Sequence, residues 1–292
     1  MSEHPPATDA PRGALPGALY VVATPIGNLA DLSGRAREML ASVALIAAED
    51  TRHTRSLLQA FGIDTPLVSL HEHNEAARLG PLIERLQRGE AVALVSDAGT
   101  PLVSDPGFGL VRAALDAGIK VTPIPGPTAA VAALSASGLP TDRFAFEGFL
   151  PAKSAARRTA LVQLAQEART LIFYEAPHRL GEVLGDMADV LGPERRASIG
   201  RELTKRFETM YYGTLAELGQ RAQQDADMCR GELVIVVAGV DPAQAPPLAA
   251  DVDKVLRTLL DELPAAQAAK LAARITGEKR AALYERAVQL QK

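Results

Sequence analysis

The sequence predicts an α/β protein with two α/β domains, a parallel sheet in the first and a mixed sheet in the second, followed by a small helical C-terminal extension. Three observations carry this. Up to about residue 125, apolar runs of strand length alternate with helical stretches, and runs such as VALIAA and AVALV have no polar face. Such strands belong in a parallel sheet covered on both sides. Beyond residue 140 the strand spacings become uneven, which suggests a sheet that is not purely parallel. The last stretch, after a Pro-rich segment, reads as helix throughout. The expected organisation is a disordered tail at 1–17, α/β domains at 18–138 and 139–240, a linker at 241–250 and a helical extension at 251–292.

Composition sets the outer limits. The chain has 292 residues, 47% of them apolar, enough for two ordinary cores. Its net charge of −4 argues against a surface coated all over by nucleic acid, while allowing a local basic patch. A lone cysteine, Cys229, excludes an internal disulfide framework and a cysteine-based metal cluster, and fits a reducing cytoplasm. No apolar run approaches the roughly 20 residues of a membrane span, so no membrane partner is expected. The first residues lack the apolar core of a secretory signal.

Leu19 to Thr24 reads as the first strand, ending in the turn Pro25-Ile26-Gly27-Asn28-Leu29, with Asp31 or Ser33 to cap the next helix. Val43 to Ala48 is the second, and it runs into Glu49-Asp50-Thr51-Arg52-His53. Polar side chains crowded directly after a buried strand suit a functional loop, or equally a helix start capped by Asp50 or Thr51. Leu67 to Leu70 is the third strand. The His71-Glu72-His73 that follows has neither HExxH spacing nor a third ligand, so no metal site is expected. Asn74 is expected to cap a helix from Glu75 to Arg88.

The fourth strand, Ala91 to Val95, leads into SDAGTPLVSDPG. These turn-formers cannot continue a strand. A loop of this kind at the carboxyl end of a buried strand is where open α/β sheets bind ligands. Its small residues let backbone approach a ligand closely, and Asp97 and Asp105 could fix polar groups. A helix from about Gly109 to Ala117 ends at Gly118, and Ile119 to Ile124 forms a fifth strand. Pro125-Gly126-Pro127-Thr128-Ala129-Ala130 then opens a helix of small residues, with Pro127 in its first turn. Free N–H groups there favour an acceptor or an anion. Neither GxxxxGK[ST] nor GxGxxG occurs, which argues against a kinase, an ATPase or a standard dehydrogenase.

In the second half, strands are expected at Phe144 to Leu150, Leu171 to Tyr174, Ala197 to Gly200, Phe207 to Thr214 and Leu233 to Ala238. Glu175-Ala176-Pro177-His178-Arg179 again places polar residues at a strand's carboxyl end. In the tail, helices are expected at Val252 to Leu260, Ala265 to Ile275 and Glu278 to Leu290. Lys270, Arg274, Lys279, Arg280 and Arg286 make it basic. A nucleic-acid-binding pair of helices and a solvated appendage both explain those charges.

The order of the loops is more specific than any one of them. TPIGNL, AEDTRHT, SDAGTPLVSDPG, PGPTAA, GLPTDRFAFEGFLP, FYEAPHRL, GRELTKRFE and GELVIVV follow in sequence. Together they resemble the tetrapyrrole methylase superfamily and, within it, the branch that methylates a cytidine ribose 2′-oxygen of small-subunit ribosomal RNA. The resemblance implies a homodimeric enzyme using S-adenosylmethionine. Carried over by position, it implies donor contacts from Pro25, Asp97, Gly99, Thr100, Gly126, Thr128, Ala129, Tyr174, Glu175 and Leu203. Candidate proton acceptors are Glu175, His178 and Asp50. Arg52 and Arg179 are candidate phosphate contacts, with Lys153, Arg157, Arg158, Lys205, Arg206, Lys279 and Arg280 as further RNA contacts. Ser96-Asp97-Ala98 stands where tetrapyrrole-modifying members tend to carry Gly-Asp-Pro, which favours RNA over a porphyrin. Two other readings stay open: a small-molecule C-methyltransferase, and a non-catalytic RNA-binding factor in ribosome assembly.

Overall fold

The computed structural model of the protein describes residues 13–240 and 252–290. The expected linker at 241–250 and residues 1–12 of the expected tail lie outside the described residues. Residues 13–17, assigned to the tail from sequence, are instead held in place. The Leu15 N–H donates to Tyr20 Oη at 2.7 Å and the Gly17 N–H to the Gly89 carbonyl at 2.9 Å. Ala14 and Leu15 also pack on the core. Backbone donors do this work, and composition does not reveal where they find acceptors. The described residues form two compact units, 13–162 with 170–238, and 163–169 with 239–240 and 252–290.

The larger unit holds two five-stranded sheets. The first is built from β1 (Leu19–Val22), β2 (Leu45–Ala48), β3 (Leu67–Ser69), β4 (Val92–Val95) and β5 (Val121–Ile124), in the order β3-β2-β4-β1-β5 and parallel throughout. Helices α1 (Gly34–Ser42), α2 (Thr51–Ala60), α3 (Glu75–Gln87) and α4 (Phe108–Asp116) cover it. Alternate strand residues feed two cores. Tyr20, Val22, Ile46 and Ala93 meet Leu40 of α1 and Leu58 of α2, while Leu19, Leu45, Val92 and Leu94 meet Leu86 of α3 and Leu110 of α4. That is why these strands have no polar face.

Local chemistry sets the ends of the elements. The Ser33 hydroxyl caps α1 and the Asp50 carboxylate caps α2. Asn74 precedes α3 as expected but does not cap it. Its Oδ1 accepts the His71 N–H at 2.9 Å and its amide reaches Ser69, closing the preceding turn. Beyond β1, Thr24 and Gly99 exchange backbone hydrogen bonds of 2.8 and 3.0 Å, joining the loops after β1 and β4.

The second sheet comprises β6 (Phe144–Phe149), β7 (Thr170–Glu175), β8 (Arg196–Arg201), β9 (Thr209–Thr214) and β10 (Leu233–Val237), in the order β6-β7-β10-β8-β9. Only β6 and β7 run parallel, so the sheet is mixed. Its helices are α6 (Ser154–Leu164), α7 (Leu180–Leu191) and α8 (Leu215–Gln224). One further helix crosses over. α5 (Ala129–Ala136) follows β5 of the first sheet, yet Ala130, Ala133 and Leu134 pack on Ile172, Val234 and Val236 of the second. α8 begins with a capping box, Thr214 and Glu217 each bonding the other's backbone. Thr214→Ala is expected to cost about 1 kcal/mol, read as a lower urea midpoint at unchanged slope.

The smaller unit carries α9 (Val252–Leu260), α10 (Ala265–Thr276) and α11 (Arg280–Leu290), packed around Leu256, Ala269, Ala272 and Leu283. Gly277, at φ 73°, supplies the left-handed turn between α10 and α11.

Candidate active site

The loops at the carboxyl ends of the first sheet face the second sheet across a cavity of about 450 Å³. Of the residues implied as donor contacts, Asp97, Gly99, Thr100, Thr128, Ala129, Tyr174, Glu175 and Leu203 all line it. Pro25 lines a smaller neighbouring cavity, of about 330 Å³. Gly126 lines neither. A Cβ there would lie 2.9 Å from that of Ala23, so this glycine serves the close approach of two chain segments.

The wall is made of constrained backbone. The four non-glycine residues with positive φ among the described residues fall in two cavity loops, Leu102 and Ser104 after β4, and Glu202 and Thr204 after β8. Each costs free energy that the surrounding structure must offset. Gly99, at φ 86°, takes a conformation that a side chain would strain. Thr100 Oγ1 donates to the Pro127 carbonyl at 3.0 Å, joining the central loop to the loop before α5. Tyr174 Oη accepts the Ala130 N–H at 3.2 Å, so a side chain of the second sheet satisfies the first turn of α5.

Three carboxylates gather on the first-sheet side. Asp97 Oδ1 accepts the Asp50 N–H at 3.0 Å, and Glu49 Oε2 accepts the Asp97 N–H at 3.3 Å. Burial raises the Glu49 pKa, and the Asp97 and Asp50 charges raise it further against the Asp97 N–H. Burial pushes the Asp105 carboxyl up to about 6, opposed by a Ser96 hydrogen bond and reinforced by Glu49 and Asp97. Between pH 3.8 and about 6 the folded chain therefore holds a proton that the unfolded chain has lost, and stability falls as pH rises through that window. Asp105→Asn is expected to gain about 1 kcal/mol above pH 7, after allowance for solvent screening, and nothing below about pH 4. Urea denaturation at both pH values checks this, since an equal change at both would place the cause in packing.

The candidate proton acceptors separate. Glu175 lines the cavity and is 3% exposed. Its Oε1 accepts the Ala176 N–H at 2.7 Å and lies 3.2 Å from Arg179 Nε, while its buried Oε2 has no hydrogen-bond partner. Burial raises its pKa, against the opposing Ala176 N–H and Arg179 charge. Asp50 lines neither cavity. Hydrogen bonds with Arg52 hold its carboxyl well below the usual range, which makes it a weak proton acceptor and an anchor for α2. His178 is exposed and also lines neither cavity.

The structure divides the expected RNA contacts as well. Arg157 is corrected outright. It is 1% exposed, and its Nε donates to Asp186 at 2.7 Å. A basic run in sequence does not show which members turn inward to meet an acid on another helix. Arg158 is half-exposed but bonded to Asp186 and Asp189. Arg179 Nη2 donates to the Leu150 and Pro151 carbonyls, and Lys205 pairs with Glu202 and Glu232. Arg52 is exposed while held by Asp50. Lys153, Arg206, Lys279 and Arg280 are exposed.

Phe149 and Glu232 are among the cavity residues that escaped the sequence reading. Phe149 sits on the far side of a register break in β6, where Gly148 takes φ 65°. The break turns Phe146 and Phe149 onto the same ring of Tyr174, edge to face at 4.8 and 5.7 Å. Glycine within an alternating strand was the available signal. Glu232 precedes an apolar strand and gave none.

Residues 18–219 match the family model of tetrapyrrole (corrin/porphyrin) methylases, and 246–291 match an RsmI C-terminal HTH domain. Ribosomal RNA small subunit methyltransferase I of Pseudomonas aeruginosa is 58% identical over 94% of this chain and 98% of its own length. The chain belongs to the ribosomal RNA small subunit methyltransferase I family. Its counterpart of the same name in Escherichia coli O157:H7 is 53% identical over 94% of this chain and 96% of its own. Among solved structures, a uroporphyrin-III C-methyltransferase from Thermus thermophilus superposes with a TM-score of 0.55 at 24% identity, covering 76% of this chain and 94% of that one. This last likeness shows the fold that the family shares with tetrapyrrole methylases. Among the described residues no helix is long and apolar enough to cross a membrane, and no group of metal-ligating side chains occurs.

Proposed function

We propose that this family member transfers a methyl group from S-adenosylmethionine to small-subunit ribosomal RNA, on the 2′-oxygen of a cytidine ribose. The observation that carries the reading is 58% identity to a ribosomal RNA small subunit methyltransferase over 98% of that enzyme's length. A uroporphyrin-III C-methyltransferase of the same fold has been solved with S-adenosylhomocysteine. The large cavity fits such a donor. Glu49, Asp97 and Asp105 suit an ammonium group, the partnerless Glu175 Oε2 awaits a hydrogen-bond donor, and Gly99 and Ala129 leave room for close approach.

S-adenosylmethionine supplies a methyl carbon already activated by its sulfonium, the carbon–sulfur bond breaking with its electron pair left on sulfur. Much of the work left to the protein is positioning. The sheet-end loops are held for this by the Thr24–Gly99 bridge and the Thr100–Pro127 hydrogen bond. The attacking hydroxyl must lose its proton, either to a cavity carboxylate such as Glu175 or to water. Exposed Lys279 and Arg280, within the part matching an HTH domain, suit phosphate contact. The reading extends to a homodimer in the cytoplasm, and sedimentation of the purified chain tests the first point.

The deciding experiment offers labelled S-adenosylmethionine to small ribosomal subunits from cells lacking this methylation, with uroporphyrinogen in parallel. Label on a ribose that resists alkaline cleavage supports the proposal. Label only in uroporphyrinogen would establish the small-molecule alternative. RNA binding without transfer would establish the assembly-factor alternative.

A further inference from the structure

The smaller cavity adjoins the larger one, and the two share a wall. Ile26, Asp97, Ala98 and Glu232 line both. Residues common to both linings place a molecule in the smaller cavity beside the contents of the larger one. If the larger cavity holds the methyl donor, as proposed above, the smaller one is the place from which an acceptor reaches it.

The lining narrows what that acceptor can be. Pro25, Leu29 and Leu57 give an apolar surface, and Leu29 is 50% exposed. His53, Ser56 and Leu57 stand at i, i+3 and i+4 on α2, which puts them on one face of the helix. His53 and Ser56 are exposed, and the Ser56 hydroxyl donates to the Arg52 carbonyl at 3.2 Å, which leaves its oxygen to act as an acceptor. The one cation in the lining, Lys205, is committed to Glu202 and Glu232. Its methylenes lie where any side chain on Gly27 would have to go. An apolar platform with hydrogen-bonding side chains and two carboxylates, Asp97 and Glu232, suits a base and its ribose better than a phosphate. The exposed guanidinium groups of Arg52 and Arg55 lie on the same helix, outside the lining. At about 330 Å³ the space is at the small end of ligand pockets.

We infer that the smaller cavity receives the acceptor nucleoside, turned out of the RNA, with His53 and Ser56 of α2 as its positioning residues. Extrusion of a single nucleotide is the general way for an enzyme to reach an atom that stacking hides. On this arrangement the ribose 2′-oxygen lies at the shared wall. There the new oxygen–carbon bond forms as the carbon–sulfur bond breaks, and the hydroxyl proton passes to a cavity carboxylate such as Glu175 or to water.

The test uses the full-length protein, S-adenosylmethionine and unmethylated small ribosomal subunits. His53→Ala removes one contact, and Ser56→Trp fills the cavity from an exposed position that folding tolerates. Both are expected to raise KM for the subunits at least about tenfold, or to lower kcat/KM by as much, while calorimetric Kd for S-adenosylmethionine stays within about twofold. Unchanged kinetics in both variants would overturn the inference. So would a tenfold loss of donor affinity, because the two cavities would then not be separate subsites. If the unaltered enzyme transfers no methyl group to RNA, the reaction itself is wrong and the inference falls with it, a result distinct from the first two.

Discussion

Asp186→Ala is expected to destabilise the protein by about 3–5 kcal/mol, the usual cost of leaving a buried charge without its partner. Arg157 would lose its bond to Asp186, the shortest it makes, and keep only the Ala152 and Pro151 carbonyls at 3.1 and 3.5 Å and Glu182 at 3.6 Å. Arg158 and Ser154 would lose the same carboxylate. A urea midpoint change worth less than about 1 kcal/mol would show that these charges are solvated in solution. The pH dependence is set by the same contacts. Burial would raise the Asp186 pKa, but the hydrogen bonds from Arg157, Arg158 and Ser154 outweigh it, and the net shift is downward. The stabilisation is therefore present above about pH 4 and lost as pH falls through the lower native value. The paired variant Arg157→Met with Asp186→Leu is expected to recover much of the loss, since a well-packed apolar pair often matches a buried ion pair.

For Glu175→Gln we expect S-adenosylmethionine to bind about 10–100-fold more weakly, corresponding to one hydrogen bond to a charged group. The prediction rests on the buried Oε2, which has no partner in the protein although it lies in the cavity wall. Calorimetry with the donor reads it directly. Unchanged donor affinity with a fall in kcat would instead assign Glu175 to proton transfer. Unchanged values of both would remove it from the site. Because burial raises its pKa, the ionised form is lost at higher pH than for an ordinary carboxylate, and donor affinity should weaken accordingly on acidification.

The sheets and the large cavity were legible because each rests on a local signal. Buried parallel strands show as unbroken apolar runs, and the loops that end them show as Gly, Pro and Asp. Eight of the residues implied as donor contacts, Glu175 included, meet around one cavity for that reason. What stayed hidden depends on partners distant in sequence. Nothing in Lys153 to Arg158 shows that Arg157 turns inward, because Asp186 lies on another helix. The position of Phe149 follows from a one-residue register break that strict alternation cannot express. The packing of α5 was illegible for a different reason. AAVAALSA is apolar on nearly every side, so no stripe declares which sheet it covers.

That placement of α5 bears on how such enzymes can exchange parts. Residue 138 looks like a seam, with a glycine and a proline between two sheets of different type. A crossover there would pair the α5 of one parent with the β7 and β10 of another. Ala130, Ala133 and Leu134 would meet strangers at Ile172, Val234 and Val236, and the Ala130 N–H would depend on a foreign Tyr174. Shuffled descendants should therefore survive best when α5 and the second sheet are inherited together, which moves the tolerated breakpoint to the N-terminal side of Thr128.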